Sequence, residues 1–301
     1  MDLTRITTFC FVASYAVALS LEAVALAGRR RGRVGEVLGG GRRLGTLAFA
    51  GAGLFAHVAF LAMRAREQAT PLSSPSDWCL LAAMLVAAVY LGMTLTSPRW
   101  AWGVFVLPMV LLLIGVAQLA SDAPFAPERA SLFWGQVHGW TLLGAAVAVC
   151  LGFVAGLMYL LQSWRLKHKM PPKSGFRLPS LEWLEQTNSY CLGLSVWLVA
   201  VGFLSGLVLS TLKNRGVEDY HLWTDPVVLS LAAMFVWLIA AEAFRFAYPA
   251  ARRGQKVAYL TVASFGFLVI TLASMTMVGS VHGTADAASP RPPIAILQED
   301  R

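Results

Sequence analysis

The sequence predicts an all-α, polytopic membrane helix bundle of about eight transmembrane helices with both termini on the outer face. Three observations predict it: an apolar composition, long apolar runs between bunched charges, and a one-sided distribution of Lys and Arg. Hydrophobic residues fill 57% of the 301 positions and charged residues 13%, and mean hydropathy is +0.63. Soluble domains devote about 25% of their residues to charge. A helix of about 20 apolar residues spans a hydrocarbon core of roughly 30 Å, and it crosses alone with its backbone hydrogen bonds satisfied.

Eight apolar runs follow one another along the chain. The first covers 6–27 and stops at the arginines from Arg29 to Arg33; the second covers 44–62, after Arg42 and Arg43. Pro71 and Pro75 precede the third, 78–96, and Pro98 separates it from the fourth, 100–120. Pro124 and Pro127 precede the fifth, 134–162, which is longer than a membrane requires and is expected to tilt or protrude. Pro171 and Pro172 break the chain before the sixth, 188–211. The seventh covers 225–247 and the eighth 257–281, ahead of a tail with Pro290, Pro292 and Pro293. The expected organisation is one transmembrane domain, 1–289, and a flexible outer tail, 290–301. No solenoid-like repeat is visible.

Orientation follows from the basic residues. With eight spans and the N-terminus outside, the inner segments hold Arg29, Arg30, Arg31, Arg33, Arg42, Arg43, Arg99, Arg165, Lys167, Lys169, Lys173, Arg177, Arg245, Arg252, Arg253 and Lys256. That is 16 of the 24 Lys and Arg, the bias expected of cytoplasmic loops. The net charge of +8 is then explained by anionic lipid at the inner leaflet, not by nucleic acid. The expected location is the inner (cytoplasmic) membrane. Ala25-Leu26-Ala27-Gly28 imitates a signal-peptidase site, but the arginines directly after it favour an uncleaved helix anchored on the inside.

Cys10, Cys79, Cys150 and Cys191 are scattered over different apolar runs, with no C-x-x-C and no C-x-x-C-H. Neither a redox pair nor covalently attached haem of the c type is expected, and the thiols read as small packing residues. The chemistry falls to the histidines. His138 lies about one turn into the fifth run, in Phe133-Trp134-Gly135-Gln136-Val137-His138-Gly139-Trp140, and His282 follows the eighth, in Gly279-Ser280-Val281-His282-Gly283. Counting crossings places both imidazoles at the outer membrane level, where two neutral histidines suit axial ligation of haem iron. Gly139, Gly279 and Gly283 permit close approach of a flat macrocycle, and Trp134 and Trp140 offer apolar area. Arg129, Lys213 or Arg215 suit the propionates. The same residues also fit a plainer reading, in which each His is an interfacial polar group and each Trp a belt anchor.

Resemblance separates these readings. The stretch WGQVHGWTLLGAAVAVCLGFVAGLMYLLQSWRLKHK, from Trp134 to Lys169, resembles the cytochrome c assembly family of membrane proteins, which includes CcsA (also called ResC), CcmC and the smaller HemX-like proteins. FRLPSLEWLEQTNSY, from Phe176 to Tyr190, is similar to a segment of the HemX-like branch. The likeness extends to His57 in GLFAHVAF, to Gly103 and Pro108 in WGVFVLPM, and to Asp225-Pro226 and His282. It implies that His138 and His282 are metal ligands, axial to a haem b in transit at the outer face. Trp134, Trp140, Trp223, Asp225 and His57 would complete the cofactor-binding set.

The departures are equally specific. CcsA-type members carry an outer loop of the form W-G-x-x-W-x-W-D-P-K-E, whereas here Tyr220-His221-Leu222-Trp223-Thr224-Asp225-Pro226-Val227-Val228 keeps one Trp and the Asp-Pro. Where those members have a His near the inner end of the next helix, this chain places Arg245, with a loose alignment. The chain therefore looks closer to the HemX-like branch.

Among the remaining polar residues, His57 must face protein or water inside the membrane and suits haem, a quinone or an interhelical hydrogen bond. Glu22 and Glu242 lie near inner helix ends and most simply pair with arginines, while His168 faces headgroups. Gly152-x-x-x-Gly156 and Gly202-x-x-x-Gly206 offer close-packing faces. The sequence reading is thus a haem-handling assembly factor, not an enzyme with a catalytic triad. Its expected partners are haem, a membrane subunit of the assembly machinery, apocytochrome c and the lipid bilayer, with no nucleic acid. A HemX-type regulator of haem synthesis without bound haem, or a transporter or scaffold with the same fold, remains open.

Overall fold

Serine and proline set where several helices begin. In the computed structural model, the Ser74 hydroxyl accepts from the Asp77 backbone amide and the Asp77 carboxylate accepts from that of Ser74. With Pro75 in the first turn this capping box starts a helix three residues ahead of the apolar run. Ser180 does the same work later, accepting from the amide of Trp183 at 3.3 Å, so a helix starts at Leu181 although the apolar run begins only at 188.

The structure describes residues 7–28, 34–67, 73–97, 100–123, 133–169, 178–213, 225–247 and 255–277. They form eight helices: α1 (Thr8–Gly28), α2 (Val34–Glu67), α3 (Pro75–Thr96), α4 (Gly103–Leu119), α5 (Phe133–Lys167), α6 (Leu181–Lys213), α7 (Pro226–Ala247) and α8 (Gln255–Met277). No strand occurs among the described residues. Six helices, α2, α3 and α5 to α8, are long and apolar enough to cross a membrane, whereas the apolar stretches of α1 (Thr8–Val24) and α4 (Gly103–Leu119) are shorter. The chain is therefore an all-helical, multi-pass membrane protein. At 1.5 Å per residue, the 35 residues of α5 reach about 52 Å, well beyond a hydrocarbon core. The expected excess length is one unbroken helix.

The eight helices pack as two rings of four. In the first, α1 lies against α2 and α4, and α3 closes the ring against the same two helices. In the second, α5 lies against α6 and α8, and α7 closes it. The rings meet where α5 touches α3 and α4. Within each ring neighbours run antiparallel, as cross-contacts show: Tyr15 with His57, Arg64 with Asp77, Gly152 with Cys191 and Ser230 with Ser274. Helix starts and ends therefore alternate. Thr8, Phe133 and Met277 lie at one end of the bundle, hereafter the His138 end. Lys167, Arg245 and Gln255 lie at the other, the basic end.

Between helices surrounded by lipid, association rests on close van der Waals packing and interhelical hydrogen bonds. Both glycine pairs serve this inside the chain. A Cβ on Gly156 would meet the Ala258 carbonyl oxygen at 3.2 Å and Thr261 Oγ1 at 3.0 Å, so α5 and α8 touch almost backbone to backbone. Gly202 and Gly206 receive Leu142 and His138 of α5 in the same manner. Cys79, Cys150 and Cys191 are buried, Cys10 is exposed, and all four are free thiols. Phe55, Val236 and Trp197 instead point outward, as expected where lipid is the solvent.

Candidate functional site

His138 occupies the second turn of α5 and faces α6. Its Nδ1 lies 2.7 Å from the carbonyl oxygen of Gly202. A carbonyl only accepts, so Nδ1 carries a proton, and in the neutral form of the ring the lone pair is then on Nε2. Gly206, one turn further along α6, makes this fit possible: a Cβ there would sit 2.7 Å from Nδ1 and 2.8 Å from Cε1. The next turn of α5 is tied down by Thr141, whose hydroxyl donates to the Val137 carbonyl at 2.6 Å. A histidine fixed through Nδ1 to a backbone carbonyl, with Nε2 the basic atom, is the usual arrangement of a metal-ligating imidazole. The residue thus fits the donor chemistry of a haem ligand.

The two tryptophans beside it do not form one cradle with it. At about 100° per residue, Trp134 falls near the His138 face of α5 and Trp140 falls far around the helix. Trp134 is exposed and meets the edge of Phe133 at 5.7 Å. Trp140 turns to the first ring and packs edge-on against Trp78 of α3 at 5.5 Å, while Gly139 accommodates the same Trp78 ring. Trp140 and Gly139 therefore form the seam between the rings. These are the Gly139 and Trp140 expected beside the His138 site, and both take part in the contact between the rings.

Asp225 is buried and caps α7: its carboxylate accepts from the Val227 amide at 2.8 Å and its carbonyl from that of Leu229 at 3.0 Å. His282, Trp223, His221, Arg129, Arg215 and the Lys213 side chain lie outside the described residues, as does the tail from 290.

His57 lies apart from His138, between α2 and α1 in the first ring. The side chain is fully buried, stacked on Phe11 with ring centroids 4.2 Å apart, and 3.4 Å from the Tyr15 hydroxyl through Nδ1. Its Nε2 has no hydrogen-bond partner among the described residues. Phe11 and Tyr15 were not anticipated. The available signal was the need of an intramembrane histidine for a partner at equal depth on the neighbouring helix, and Tyr15 supplies it.

A second polar cluster also escaped the sequence reading. Arg64, at the end of α2, bridges Asp77 at the start of α3 and Asp122 just past α4. It ties three helix ends of the first ring together at the His138 end. The S-x-x-D spacing of Ser74 and Asp77 was its legible trace. At the basic end, Glu242 pairs with Arg245 at 2.6 Å, as expected of that carboxylate, and Tyr90 donates to Glu22 at 3.4 Å. His168 is exposed there and bonded through Nδ1 to the Trp164 carbonyl at 2.9 Å. No group of three His, Cys, Asp or Glu gathers as a metal set among the described residues.

Compared with known proteins, the chain matches no family model, no curated protein and no solved structure.

Proposed function

We propose that this protein binds or handles haem at the His138 end of its bundle and serves cytochrome c biogenesis. The observation that carries the reading is the bond between His138 Nδ1 and the Gly202 carbonyl, which orients Nε2 as a basic nitrogen near the end of two membrane helices. The likeness of the segment around His138 to the cytochrome c assembly family supplies the reaction context. In this reading the chain crosses the inner (cytoplasmic) membrane eight times, with α1 and α4 completing the six longer spans and both termini on the outer face.

Haem, when bound, would bring an iron that accepts axial nitrogen ligands and vinyl groups that react with cysteine thiols. The chain's own part is to hold and orient. His138 and His282 would hold the iron through their imidazole nitrogens, Trp134 and Trp223 would provide apolar contact area, and Asp225 fixes the start of α7. His57 offers a second buried imidazole on the first ring. A partner membrane subunit and apocytochrome c complete the assembly. The test is the absorption spectrum of detergent-purified protein. A Soret band that weakens in His138→Ala supports the reading. Colourless protein that still changes the abundance of an early haem-synthesis enzyme in cells would replace it with the regulatory one.

A further inference from the structure

The oxygen that holds His138 is shared. Besides the imidazole Nδ1 at 2.7 Å, the Gly202 carbonyl accepts from the Ser205 hydroxyl at 2.9 Å. Within an α-helix the same oxygen also faces the amide of the residue four positions on, here Gly206. Three donors thus converge on an oxygen with two lone pairs. The imidazole bond lies at the short end of the usual N–H···O range, about 2.7–3.2 Å. The serine bond lies toward the long end of the usual O–H···O range, about 2.5–3.0 Å. His138 therefore holds the larger share of the carbonyl, and Ser205 draws on the rest.

Neither the helix nor its packing calls for a hydroxyl at this place. Ser205 is buried, and alanine would fill nearly the same space, favour the helix more and bury no polar group. Ser195 supplies a comparison on the same helix. It is buried as well, and its hydroxyl donates to the Leu192 carbonyl at 2.8 Å, again three residues back. The two serines share helix, burial and local bond. They differ in that the carbonyl bonded by Ser205 also receives an imidazole.

We propose that Ser205 is a positioning residue for His138. By occupying part of the Gly202 carbonyl, it limits how strongly that oxygen draws on the Nδ1 proton. A stronger pull there would make Nε2 a stronger electron donor to a bound metal, as hydrogen-bond partners do for metal-ligating histidines generally. Ser205 thus sets the donor strength of the imidazole without touching what the imidazole binds. The consequence for the iron rests on the haem reading; the hold of Ser205 on the His138 hydrogen bond does not.

The test uses the full chain in nanodiscs with isotope-labelled histidine, the His138 signal being identified by its loss in His138→Gln. In haem-free protein, Ser205→Ala is expected to move the Nδ1 proton resonance downfield, the mark of a stronger hydrogen bond. Ser195→Ala should leave it in place, and Ser205→Thr, which keeps the hydroxyl, should hold it near its original position. In haem-loaded protein, Ser205→Ala should lower the midpoint potential at unchanged haem content, because a stronger nitrogen donor favours ferric iron. An unmoved Nδ1 resonance in Ser205→Ala, an equal movement in Ser195→Ala, or a potential that stays or rises would each overturn the proposal. Protein that takes up no haem would defeat the haem reading instead, and the Nδ1 resonance would still decide the role of Ser205.

Discussion

The imidazole of His138 on α5 and the backbone carbonyl of Gly202 on α6 are joined by a 2.7 Å hydrogen bond. The acceptor is main chain, so the orientation of the ring is set by how closely two helices approach. That approach depends in turn on residues without side chains at Gly202 and Gly206. A Cβ on Gly202 would come within 2.5 Å of Leu142 Cδ2, and one on Gly206 within 2.7 Å of the imidazole. Packing and chemistry are thus one property of the α5–α6 seam.

Gly206→Ala is therefore expected to swing the His138 ring away from Gly202 and break its bond, at a cost of about 1 kcal/mol. Gly202→Ala, which meets branched Leu142 and Thr141, should cost about 1–3 kcal/mol by overpacking. Gly115 and Gly266 have open space where a Cβ would be built. There, substitution by Ala should gain roughly 0.5–1 kcal/mol because helix interiors disfavour glycine. Thermal unfolding in detergent distinguishes the two groups by the sign of the change.

The Arg64 cluster separates a buried carboxylate from an exposed one on the same cation. The Asp77 side chain is fully buried, whereas that of Asp122 is 72% exposed. Asp77→Ala removes the partner of a half-enclosed guanidinium and also the capping box of α3, so a loss of about 3 kcal/mol or more is expected. Asp122→Ala should cost less than about 1 kcal/mol. Similar losses for the two, measured in the same detergent, would show that burial does not set the strength of this network.

His57 is a buried polar side chain with one ring nitrogen lacking a partner among the described residues, an arrangement that costs stability. A role confined to packing predicts that His57→Phe, which keeps the ring against Phe11, leaves the melting temperature unchanged or raised and leaves haem content alone. In the haem-handling reading the same variant stays as stable but loses haem. Tyr15→Phe removes only a long 3.4 Å contact and should change stability by less than about 1 kcal/mol.

Topology is tested directly by fusions. A reporter placed after residue 40 or near residue 175 should read cytoplasmic, and one at the C-terminus should read exported. A cytoplasmic C-terminus, with residues 40 and 175 also cytoplasmic, would put His138 and His282 on opposite sides of the membrane and dissolve the proposed pair. The alternation of helices, which brings Thr8 and Met277 to the same end of the bundle, leads to the expectation.

The positions of the helices were legible because a helix in lipid is marked by one continuous property, apolarity over a membrane thickness. Ends that reach past that thickness were less so. α2 begins at Val34 and α6 at Leu181, in polar sequence where hydropathy is silent, and only the Ser180 cap marks the second. Partners were harder still. Gly152 and Gly156 advertised a close contact without naming α8. The separation of His138 from Trp140, by contrast, was available from helical periodicity, since residues two apart point away from each other.

The pairing of His138 with His282 decides the function. In the proposed reading both imidazoles bind one iron, so His138→Ala and His282→Ala should each lower haem content and move the spectrum from six-coordinate toward five-coordinate. The double variant should be little worse than either single one, because two residues acting on one site are not additive. Added imidazole should partly restore the single variants by filling the vacated axial position. Gly206→Ala should resemble a mild form of His138→Ala, since it disturbs the same ring without removing it. His168→Ala is the internal control: that residue is exposed at the basic end and should leave the spectrum alone. Unchanged haem content in both single variants, with protein still folded and inserted, would remove the haem site at this end of the bundle and leave the regulatory reading in its place.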